Sequence, residues 1–417
     1  MTSEEALVQG DFDPTDRERD PVAQLDALLA AGLRVVRSER MGGAYLVLTH
    51  QDVREVLEDP ETYASAHALG GPLKDAVPEE VAALLPGFLR EPVTGVVDTD
   101  GAAHAPLRAT VRRAYAGPRV NPLAARIEDL ARELADELDE GLGRGEVDLV
   151  SAYAQPLAQR VMGAALGIPQ DDLLAVAGWA GDMASLITPG IPVQVKREAA
   201  RRLCDYEEWA TGFYATLPPG HDSVAAVYAH GEGEAGPMSA ANALNNLLVH
   251  FVAGTVTTCH AVTSAAYQLL RDRTLWQRAL GDPQNYAPRV LEEGLRHTSP
   301  HRGLVRVTTR ATTLGGTSLP QGAHVLPLLG AANRDPAHIR DPARFDPDRE
   351  APRGHLAFGA GPHACVGAHL TRLEGRLALT TLLTRFPTLT LAALEEEPPV
   401  LPDYHFHGLA MLRVRLP

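Results

Sequence analysis

Residues 358–367 read Phe358-Gly-Ala-Gly-Pro-His-Ala-Cys365-Val-Gly367. This stretch is the most informative part of the sequence for predicting the fold. Glycines at positions 359, 361 and 367 let the backbone turn beneath a flat macrocycle, where side chains would collide. A helix is predicted directly after Cys365, and its positive end favours the thiolate over the thiol. Nearby backbone N–H groups tune the charge of such a sulfur ligand. The stretch therefore predicts a tight turn that presents Cys365 as a thiolate at the start of a helix.

The same stretch resembles the signature of the cytochrome P450 family, Phe-x-x-Gly-x-x-x-Cys-x-Gly, with every fixed position filled. The resemblance implies haem b as cofactor, with Cys365 as the axial iron ligand and Phe358, Gly359 and Gly367 beside the haem. It implies a mainly α fold with a small β part, a single triangular-prism-like domain over residues 1–417. The haem would lie between a long central helix and the cysteine-loop helix. We expect residues 1–20 to be a poorly ordered N-terminal segment.

Two other interpretations of this stretch compete with the first. A free cysteine is most often a buried core residue, but the complete motif disfavours that interpretation here. Gly359-Ala-Gly361-Pro-His-Ala364 also fits the Gly-x-Gly-x-x-Gly/Ala fingerprint of dinucleotide sites. That fingerprint requires a preceding strand, whereas residues 335–354 are rich in Asp, Pro and Arg and predict coil. We therefore reject the dinucleotide site.

Upstream segments resemble the family's structural network. Glu293 and Arg296 are three residues apart on one predicted helix, so their side chains share a face and can pair bidentately. Phe345-Asp-Pro-Asp-Arg349 lies between this pair and the cysteine. By resemblance, Arg349 is the third member of a buried Glu-Arg-Arg network, with Arg344 as the fallback. The implied role is to hold the coil that precedes the cysteine loop.

Four basic residues are candidates for contacts with the haem propionates, because anionic groups need paired donors. Asp100-Gly-Ala-Ala-His104-Ala-Pro-Leu-Arg108 resembles a family segment, although Ala102 stands where proline is usual. His104 and Arg108 are at i, i+4 and face the same way. Arg306 and His363 occupy the family's other propionate positions.

The oxygen-binding side departs from the family pattern. Ala253-Gly254-Thr255-Val256-Thr257-Thr258 resembles Ala-Gly-x-Asp/Glu-Thr-Thr, within a helix predicted over 239–271. By resemblance, Gly254 leaves room for dioxygen and Thr257 supplies a hydroxyl beside it. Val256 replaces the acid that usually helps to relay protons, and valine can neither donate nor accept one. We hypothesise that Thr257, water, or a hydroxyl or carboxylate of the substrate completes the relay.

Several segments are expected to contact substrate by resemblance, namely residues 67–94, 186–193 and 301–305, the oxygen helix and the C-terminal turn. The pocket candidates are Asn246, Val249, His250, Leu304, Val305, His405 and Phe406. We interpret His405-x-His407 as pocket histidines, since a closed metal site needs about four ligands. The His and Arg content suggests a polar or acidic substrate, such as a natural-product intermediate in antibiotic biosynthesis.

The expected activity is hydroxylation or another oxidation of a small organic molecule with electrons from outside the chain. Oxidative cyclisation or coupling stays open because of Val256, as does peroxide-dependent chemistry or reduction of nitric oxide. An alternative of another class is a haem-thiolate sensor or carrier without turnover. Retention of Thr257 favours the oxygenase over the sensor.

Charge and cysteine content limit the partners. The 417 residues carry a formal net charge of −15, which disfavours nucleic acid as a partner because its binders need a basic face. The acidic N-terminus has no apolar run, so we expect no membrane anchor. Three scattered cysteines make no disulfide framework, so we expect a cytoplasmic protein, and we expect it to be a monomer. By resemblance, ferredoxin and ferredoxin reductase supply electrons. A basic patch of Arg112, Arg113, Arg372 and Arg376 would dock the ferredoxin.

Periodicity divides the chain into elements. Helices are predicted over 21–33, 51–58, 103–115, 121–142, 150–166, 239–271, 288–297 and 364–386, and two more flank residues 189–192. Residues 44–49 predict an extended segment and residues 304–328 predict short strands. No repeat or linker is visible, which favours one α-rich domain.

Overall fold

The computed structural model describes residues 12–16, 19–65, 68, 77–90, 95–188, 190–232, 236–349, 354–394 and 396–417. Residues 1–11, 17 and 18 of the predicted poorly ordered segment 1–20 lie outside the described residues, as do residues 67, 69–76 and 91–94 of the candidate substrate segment 67–94. Most of the described chain is helical, with short strands confined to small sheets. The fold is mainly α with a small β part, as the sequence predicted.

The helices follow in chain order with a π-helical turn at Val150–Ala154 and 3₁₀ turns at Gln170–Asp172 and Gly361–His363. They are α1 (Pro21–Ala30), α2 (His50–Glu58), α3 (Glu79–Ala82), α4 (Gly87–Arg90), α5 (Gly101–Ala114), α6 (Gly117–Val120), α7 (Leu123–Leu142), α8 (Gln155–Leu166), α9 (Leu173–Ile187), α10 (Val193–Thr216), α11 (Val224–His230), α12 (Ala240–Arg271), α13 (Arg273–Gly281), α14 (Pro283–His297), α15 (Leu329–Ala332) and α16 (Ala368–Arg385).

Helix α12 is the centre of the molecule. The hydroxyl of Ser239 caps its N-terminus by accepting the amide N–H of Asn242. Helices α8, α14 and α16 all pack against α12. The predicted weak segment 253–258 stays α-helical. Gly254 lets α8 approach, because a Cβ there would lie 2.2 Å from the Met162 sulfur.

Helix α12 is also the one helix in the described ranges that is long and apolar enough to match a membrane span. However, 67% of its most apolar 18-residue window is buried inside the protein. Its apolar side chains belong to the main core cluster, together with those of α7, α8 and α16. The composition of α12 is therefore that of a core helix.

The β part consists of three small sheets. The strands are β1 (Val35–Ser38), β2 (Ala44–Val47), β3 (Tyr63–Ala64), β4 (Val147–Asp148), β5 (Arg306–Thr308), β6 (Thr312–Leu314), β7 (Thr317–Leu319), β8 (His324–Pro327), β9 (Thr390–Leu391) and β10 (Arg413–Arg415). One sheet has the order β1-β2-β8-β5-β3, a second the order β4-β10-β9, and β6 pairs with β7. The β2–β8 pair is parallel and the other pairs are antiparallel. The first sheet places Arg306 at the start of β5, beside the functional cavity.

The starts of three predicted helices differ from the structure by four residues or more. Helix α14 starts at Pro283, five residues before the predicted start, because Asp282 caps it and proline suits the first helical position. The predicted helix 150–166 begins as the π-helical turn. Helix α16 starts at Ala368 rather than at residue 364, because residues 361–363 form a 3₁₀ turn that presents the cysteine.

Candidate functional site

The cysteine loop is a tight turn fastened to itself. The Cys365 amide donates to the Phe358 carbonyl at 2.8 Å, and the Ala364 amide donates to the Gly361 carbonyl at 3.1 Å. Gly361 has φ +67°, and a Cβ there would lie 2.3 Å from the Leu57 carbonyl oxygen on α2. Only glycine tolerates both that conformation and that approach. The loop therefore presents the Cys365 side chain at a fixed place.

The surroundings of the Cys365 sulfur act on its charge in opposite directions. Burial raises the pKa of the thiol, while the amides of Gly367 and Ala368 and the Arg108 cation lower it. The predicted preference for thiolate is thus present as hydrogen bonds from the start of α16, and burial of the sulfur opposes it. A coordinating metal ion would complete deprotonation.

One cavity of about 340 Å³ connects the cysteine loop with the central helix. Cys365 and its neighbours Phe358, Gly359 and Gly367 line it on one side. Ala253, Gly254 and Thr257 of α12 line it on another. The structure therefore brings together the two motifs that the sequence placed more than one hundred residues apart.

The four candidate propionate ligands lie at the cavity or directly behind it. Arg306 and His363 line the cavity wall. His363 is held by Asp100 (Nε2 to Oδ1, 2.9 Å) and by Ser65 (Nε2 to Oγ, 3.0 Å). The His104 ring packs against His363 with centroids 4.2 Å apart. Arg108 donates to the Ala364 carbonyl next to the cysteine.

Two of these side chains lack a partner that an anionic cofactor would supply. The buried Nε2 atom of His104 has no hydrogen-bond partner in the described part of the chain. Burial, together with the charges of His363 and Arg108, lowers the pKa of His104 to about 4. Arg306 is 3% exposed and donates only to the carbonyls of Leu304 and Val305, with no ion pair among the described residues.

The donor set and the shape of the cavity fit a haem. Burial lowers the pKa of Arg306, which an anionic carboxylate would counteract. Gly359 has φ +67°, and a Cβ built there would meet only the Ala364 Cα atom, at 4.0 Å, so the cavity is open at this place. A thiol, two histidines and two arginines around an apolar cavity match an iron macrocycle with two carboxylates.

The Glu-Arg-Arg network forms with Arg349 as its third member. Arg296 donates bidentately to Glu293, with Nη2–Oε1 2.7 Å and Nε–Oε2 2.8 Å. The Arg349 Nε donates to Glu293 Oε1 at 3.1 Å. The fallback residue Arg344 contributes only its carbonyl, which accepts from both arginines. The network thus ties α14 to the coil before the cysteine loop.

A second buried acid, Glu292, was not singled out from the sequence. It accepts from Arg372 on α16 and from His355 Nε2 at 3.1 Å. Burial alone would raise the pKa of Glu292, but the hydrogen bonds from His355 and Arg372 lower it to about 2. The Arg372 guanidinium also lies 4.5 Å from the centre of the Phe358 ring. Arg372 therefore supports the cysteine loop from behind.

This pairing changes the predicted basic patch. Arg372 is engaged inside the fold, and Arg113 lies 3.5 Å from Glu232. Arg112 is exposed and Arg376 half-buried, and neither has an ion-pair partner in the described ranges. The patch is therefore smaller than predicted.

The oxygen-helix residues divide into two groups. Thr257 donates its hydroxyl to the Ala253 carbonyl at 2.6 Å, and both residues line the cavity. Val256, which stands at the position of the usual acid, does not line the cavity. Successive helical residues point in different directions, about 100° apart. An acid at position 256 would therefore also point away from the cavity.

Five of the seven pocket candidates line the cavity: Val249, His250, Leu304, His405 and Phe406. Asn246 and Val305 do not, which corrects the prediction. Asn246 is 1% exposed and donates to the Asn242 carbonyl on its own helix. Val305 packs against the apolar cluster around β2 and β8, because it and Leu304 point to opposite sides of an extended chain.

The histidines of the C-terminal turn are separated rather than paired. His405 lines the functional cavity, whereas His407 lines a small separate pocket with Arg302 and Arg334. Within the described residues, no group of three His, Cys, Asp or Glu side chains is arranged to hold a metal ion.

Sequence reasoning also missed an aromatic contact at the cavity. The phenol of Tyr228 hydrogen bonds His250 Nδ1, and Tyr115 packs edge-on against the same imidazole at 5.5 Å. These residues lie on different helices, and no local pattern joins them. Burial lowers the pKa of His250 to about 4, so its ring is neutral near pH 7.

Comparison with known proteins identifies the family. Residues 221–411 match the family model described as cytochrome P450. Cytochrome P450 107B1 of Saccharopolyspora erythraea is 31% identical over 375 residues, 89% of each chain. Erythromycin C-12 hydroxylase of the same organism is 31% identical over 399 residues, covering 94% of this chain and 90% of that relative. The crystal structure of CYP108D1 from Novosphingobium aromaticivorans has a TM-score of 0.83 at 26% identity, covering 99% of this chain and 98% of that one.

These relatives, the helical fold and the cysteine-lined cavity agree with the resemblance seen in the sequence. The cofactor of the family is haem held through a cysteine thiolate, and its relatives here are named monooxygenases and hydroxylases. This chain belongs to the cytochrome P450 family and is a haem-dependent monooxygenase.

Proposed function

We propose that Cys365 holds the haem iron and that the enzyme oxidises a neutral, oxygen-bearing small molecule, a natural-product intermediate, in the cytoplasm. The observation that carries the proposal is the shared cavity, which Cys365 lines from the α16 side and Thr257 from α12. The names of two relatives, erythromycin C-12 hydroxylase and 6-deoxyerythronolide B hydroxylase, support the natural-product class.

When bound, a haem thiolate activates dioxygen with electrons from a redox partner. The protein's own residues hold in position the groups that take part in that reaction. Arg306, His104 and His363 hold the propionates, and the Glu293 network keeps the cysteine loop in place. Thr257 donates to the Ala253 carbonyl, so its oxygen is available as an acceptor inside the cavity.

The polar wall favours a neutral substrate over an acidic one. His301 Nδ1 accepts the Gly303 N–H at 3.1 Å, which leaves Nε2–H as a donor in the neutral ring. Burial lowers the pKa of His301 to about 3 and also lowers that of His405. His405 Nε2 is buried without a partner in the described chain. Neutral imidazoles suit a carbonyl or hydroxyl group. Arg306, the one arginine of the described residues that lines the cavity, is proposed to bind the haem.

Paired ligands test this substrate class. Macrolactones and their ring-opened hydroxy acids are titrated into the ferric holoenzyme, and loss of the iron-bound water is followed in the visible spectrum. We expect the lactone of a pair to bind about tenfold more tightly or better, which corresponds to about 1.4 kcal/mol. Tighter binding of the acids would contradict the proposal.

A histidine pair provides the matched control for the same titration. His405→Phe removes the partnerless Nε2 and should weaken the best lactone. His230→Phe changes a histidine outside the cavity wall, whose Nε2 contacts the Leu217 carbonyl, and should leave affinity unchanged. Equal effects of the two variants would count against recognition by His405.

Electrons are proposed to come from a ferredoxin and its reductase. Arg112 is exposed at the C-terminal end of α5, four residues after Arg108 on the same helix. An exposed cation attracts an acidic partner through complementary charge. Arg112→Glu should raise the ferredoxin KM in a salt-dependent way. Arg54→Glu, on α2 and paired with Glu58, is the control. No difference between these variants would exclude docking at Arg112.

Oxidative cyclisation or coupling is the second candidate reaction, favoured by Val256. Without an acid at that position, the substrate's own hydroxyl can take part in proton movement. Product analysis decides: incorporation of one oxygen atom from labelled dioxygen supports hydroxylation, whereas loss of hydrogen without oxygen incorporation supports cyclisation.

A further inference from the structure

A small second pocket lies behind the part of the functional cavity wall that His301 and Phe406 form. Its volume is about 20 Å³. That is enough for one water-sized particle and too little for a polyatomic ligand. Helix α1 and the end of α14 contribute to its lining, together with the residues that directly follow His301 and Phe406. The pocket is therefore separate from the space that substrate and haem would occupy.

The Arg302 guanidinium, which lines this pocket, is charged and buried but incompletely paired. Arg302 is 4% exposed. Its Nε donates to the Asp403 carbonyl at 3.0 Å, and its Nη2 is buried without a hydrogen-bond partner in the described part of the chain. Burial lowers the pKa of Arg302 to about 10, although the charges of Asp403 and Asp20 act in the opposite direction, so the group is a cation at pH 7. A buried cation without a counter-ion is costly.

The acids nearest to this cation are engaged elsewhere. The Asp403 carboxylate accepts two backbone amides of the C-terminal turn, at 2.7 and 2.8 Å. Asp20 caps the N-terminus of α1 and accepts two amides there. Asp26 pairs with Arg334, with Nε–Oδ1 2.7 Å. None of these carboxylates forms an ion pair with Arg302, so its charge is left without a direct partner.

The other basic side chains of the pocket suit an anion. Arg334 donates from Nη1 to the His297 carbonyl at 3.5 Å, which covers a backbone oxygen that would otherwise repel a negative charge. The His297 ring is engaged by a hydroxyl and a backbone carbonyl, at 3.0 and 3.1 Å. The His407 ring lines the pocket and makes no hydrogen bond within the described residues. Burial and the charge of Arg302 lower the pKa of His407, so its neutral ring has one N–H to donate.

We infer that this pocket binds one monatomic anion, chloride in solution, held by the Arg302 guanidinium with the His407 ring as second donor. A cation would be repelled by Arg302. A water molecule could accept from Nη2 but would leave the buried charge uncompensated. The inference does not depend on the substrate class proposed above.

The anion stabilises the wall of the functional cavity from behind. Segments 300–302 and 405–407 are joined by two backbone hydrogen bonds of 2.9 Å. His301 and Phe406, which face each other in this pair of segments, line the functional cavity. Successive side chains of an extended chain alternate in direction, which places the two basic side chains on the other side. One anion between those side chains therefore fixes both segments.

The first test locates the ion. Crystals of the ferric holoenzyme grown in sodium gluconate are soaked in sodium bromide, whose anomalous scattering marks its position. The wild type should show a bromide peak beside Arg302 Nη2. Arg302→Met keeps an unbranched side chain but removes the charge, so it should lack the peak. Arg54→Met removes an exposed cation on α2 and should retain it.

The alternative occupants give different maps. A pocket that holds water only in the wild type would overturn the inference. A bromide peak that survives Arg302→Met would overturn it as well, because the ion would then be held by other groups.

The second test measures binding in solution. Urea unfolding of the holoprotein is compared in sodium chloride and in sodium gluconate of equal ionic strength, because gluconate is too large for the pocket. An anion that binds only the folded protein stabilises it by mass action. Chloride at ten times its dissociation constant should therefore raise the ratio of folded to unfolded protein about 11-fold.

The same variants make this second test specific. Arg302→Met should lose the difference between chloride and gluconate, and Arg54→Met should keep it. His407→Phe retains the cation and should show a smaller difference, and it serves if Arg302→Met does not fold. Equal chloride effects in the wild type, Arg302→Met and His407→Phe, or no chloride effect in the wild type, would overturn the inference.

Discussion

Replacement of Glu293 by glutamine should show whether the buried network of Glu293 stabilises the cysteine loop more than an ion pair on the surface would. Glu293 is 1% exposed and accepts from Arg296, Arg349 and the Asp346 amide. The two arginines in turn donate to backbone carbonyls of the coil before the cysteine loop, at residues 333, 340, 341, 342 and 344. Glu293→Gln keeps the side-chain shape but leaves the Arg296 cation buried without its counter-ion.

The expected loss follows from that burial. Removing one partner of a buried pair destabilises by about 3–5 kcal/mol, because the other charge stays uncompensated. Glu58→Gln is the matched control, since it breaks an Arg54–Glu58 pair at i, i+4 whose side chains are 58% and 44% exposed. An exposed helical pair contributes about 0.3–0.5 kcal/mol. The two variants should therefore differ by a factor of about ten in destabilisation.

Urea unfolding of the holoproteins measures both losses, with the haem absorbance and the far-ultraviolet circular dichroism recorded together. In Glu293→Gln the haem signal should disappear at lower urea than the helical signal, because the coil before the cysteine loop loosens first. Equal midpoints in Glu293→Gln and Glu58→Gln would refute the supporting role of the network.

Three other variants have defined outcomes. Glu292→Gln should flatten the acid side of the pH–stability curve. The pKa of Glu292 is lowered to about 2, so its carboxylate stabilises the wild-type fold above pH 4.5, and this stabilisation is lost as the pH falls toward 2. Glu374 on α16 lines the functional cavity and is 1% exposed. Burial raises the pKa of its carboxyl to about 8, so wild-type stability falls as the pH rises from 4.5 to 8, and Glu374→Gln should remove that fall in urea unfolding. His104→Leu should release haem faster to apomyoglobin than the wild type does, since it removes a propionate donor; an unchanged rate would contradict that contact.

Local patterns predicted the parts of the site that are continuous in sequence. The cysteine loop has its glycines and its following helix within ten residues, so the turn could be predicted without the fold. Glu293 and Arg296 share one helix face, and their pairing follows from spacing alone. The third partner, Arg349, required the family resemblance, because its contact spans 56 residues.

Contacts between distant elements could not be predicted in this way. Arg372 was assigned to a surface patch because nothing near it in sequence shows that Glu292 approaches from α14. Asn246 recurs at helical spacing with His250, but its side-chain amide donates to the Asn242 carbonyl of its own helix and does not line the cavity. Gly254 was interpreted as space for dioxygen, whereas the structure also shows the close approach of Met162.

Glu374 could have been found from the sequence. Leu370, Glu374 and Leu377 recur at helical spacing on the predicted final helix, so a carboxylate stands on an apolar stripe. Such a position predicts burial, and burial of an unpaired acid predicts a raised pKa.

Carbon monoxide binding to the reduced holoenzyme tests most directly whether sulfur 365 ligates the iron. The wild-type protein and the variants Cys204→Ser and Cys259→Ser should give the red-shifted Soret band of a thiolate-ligated complex, and Cys365→Ser should lose it. A histidine-type spectrum in the wild type, or a thiolate-type spectrum that survives Cys365→Ser, would contradict the assignment of Cys365.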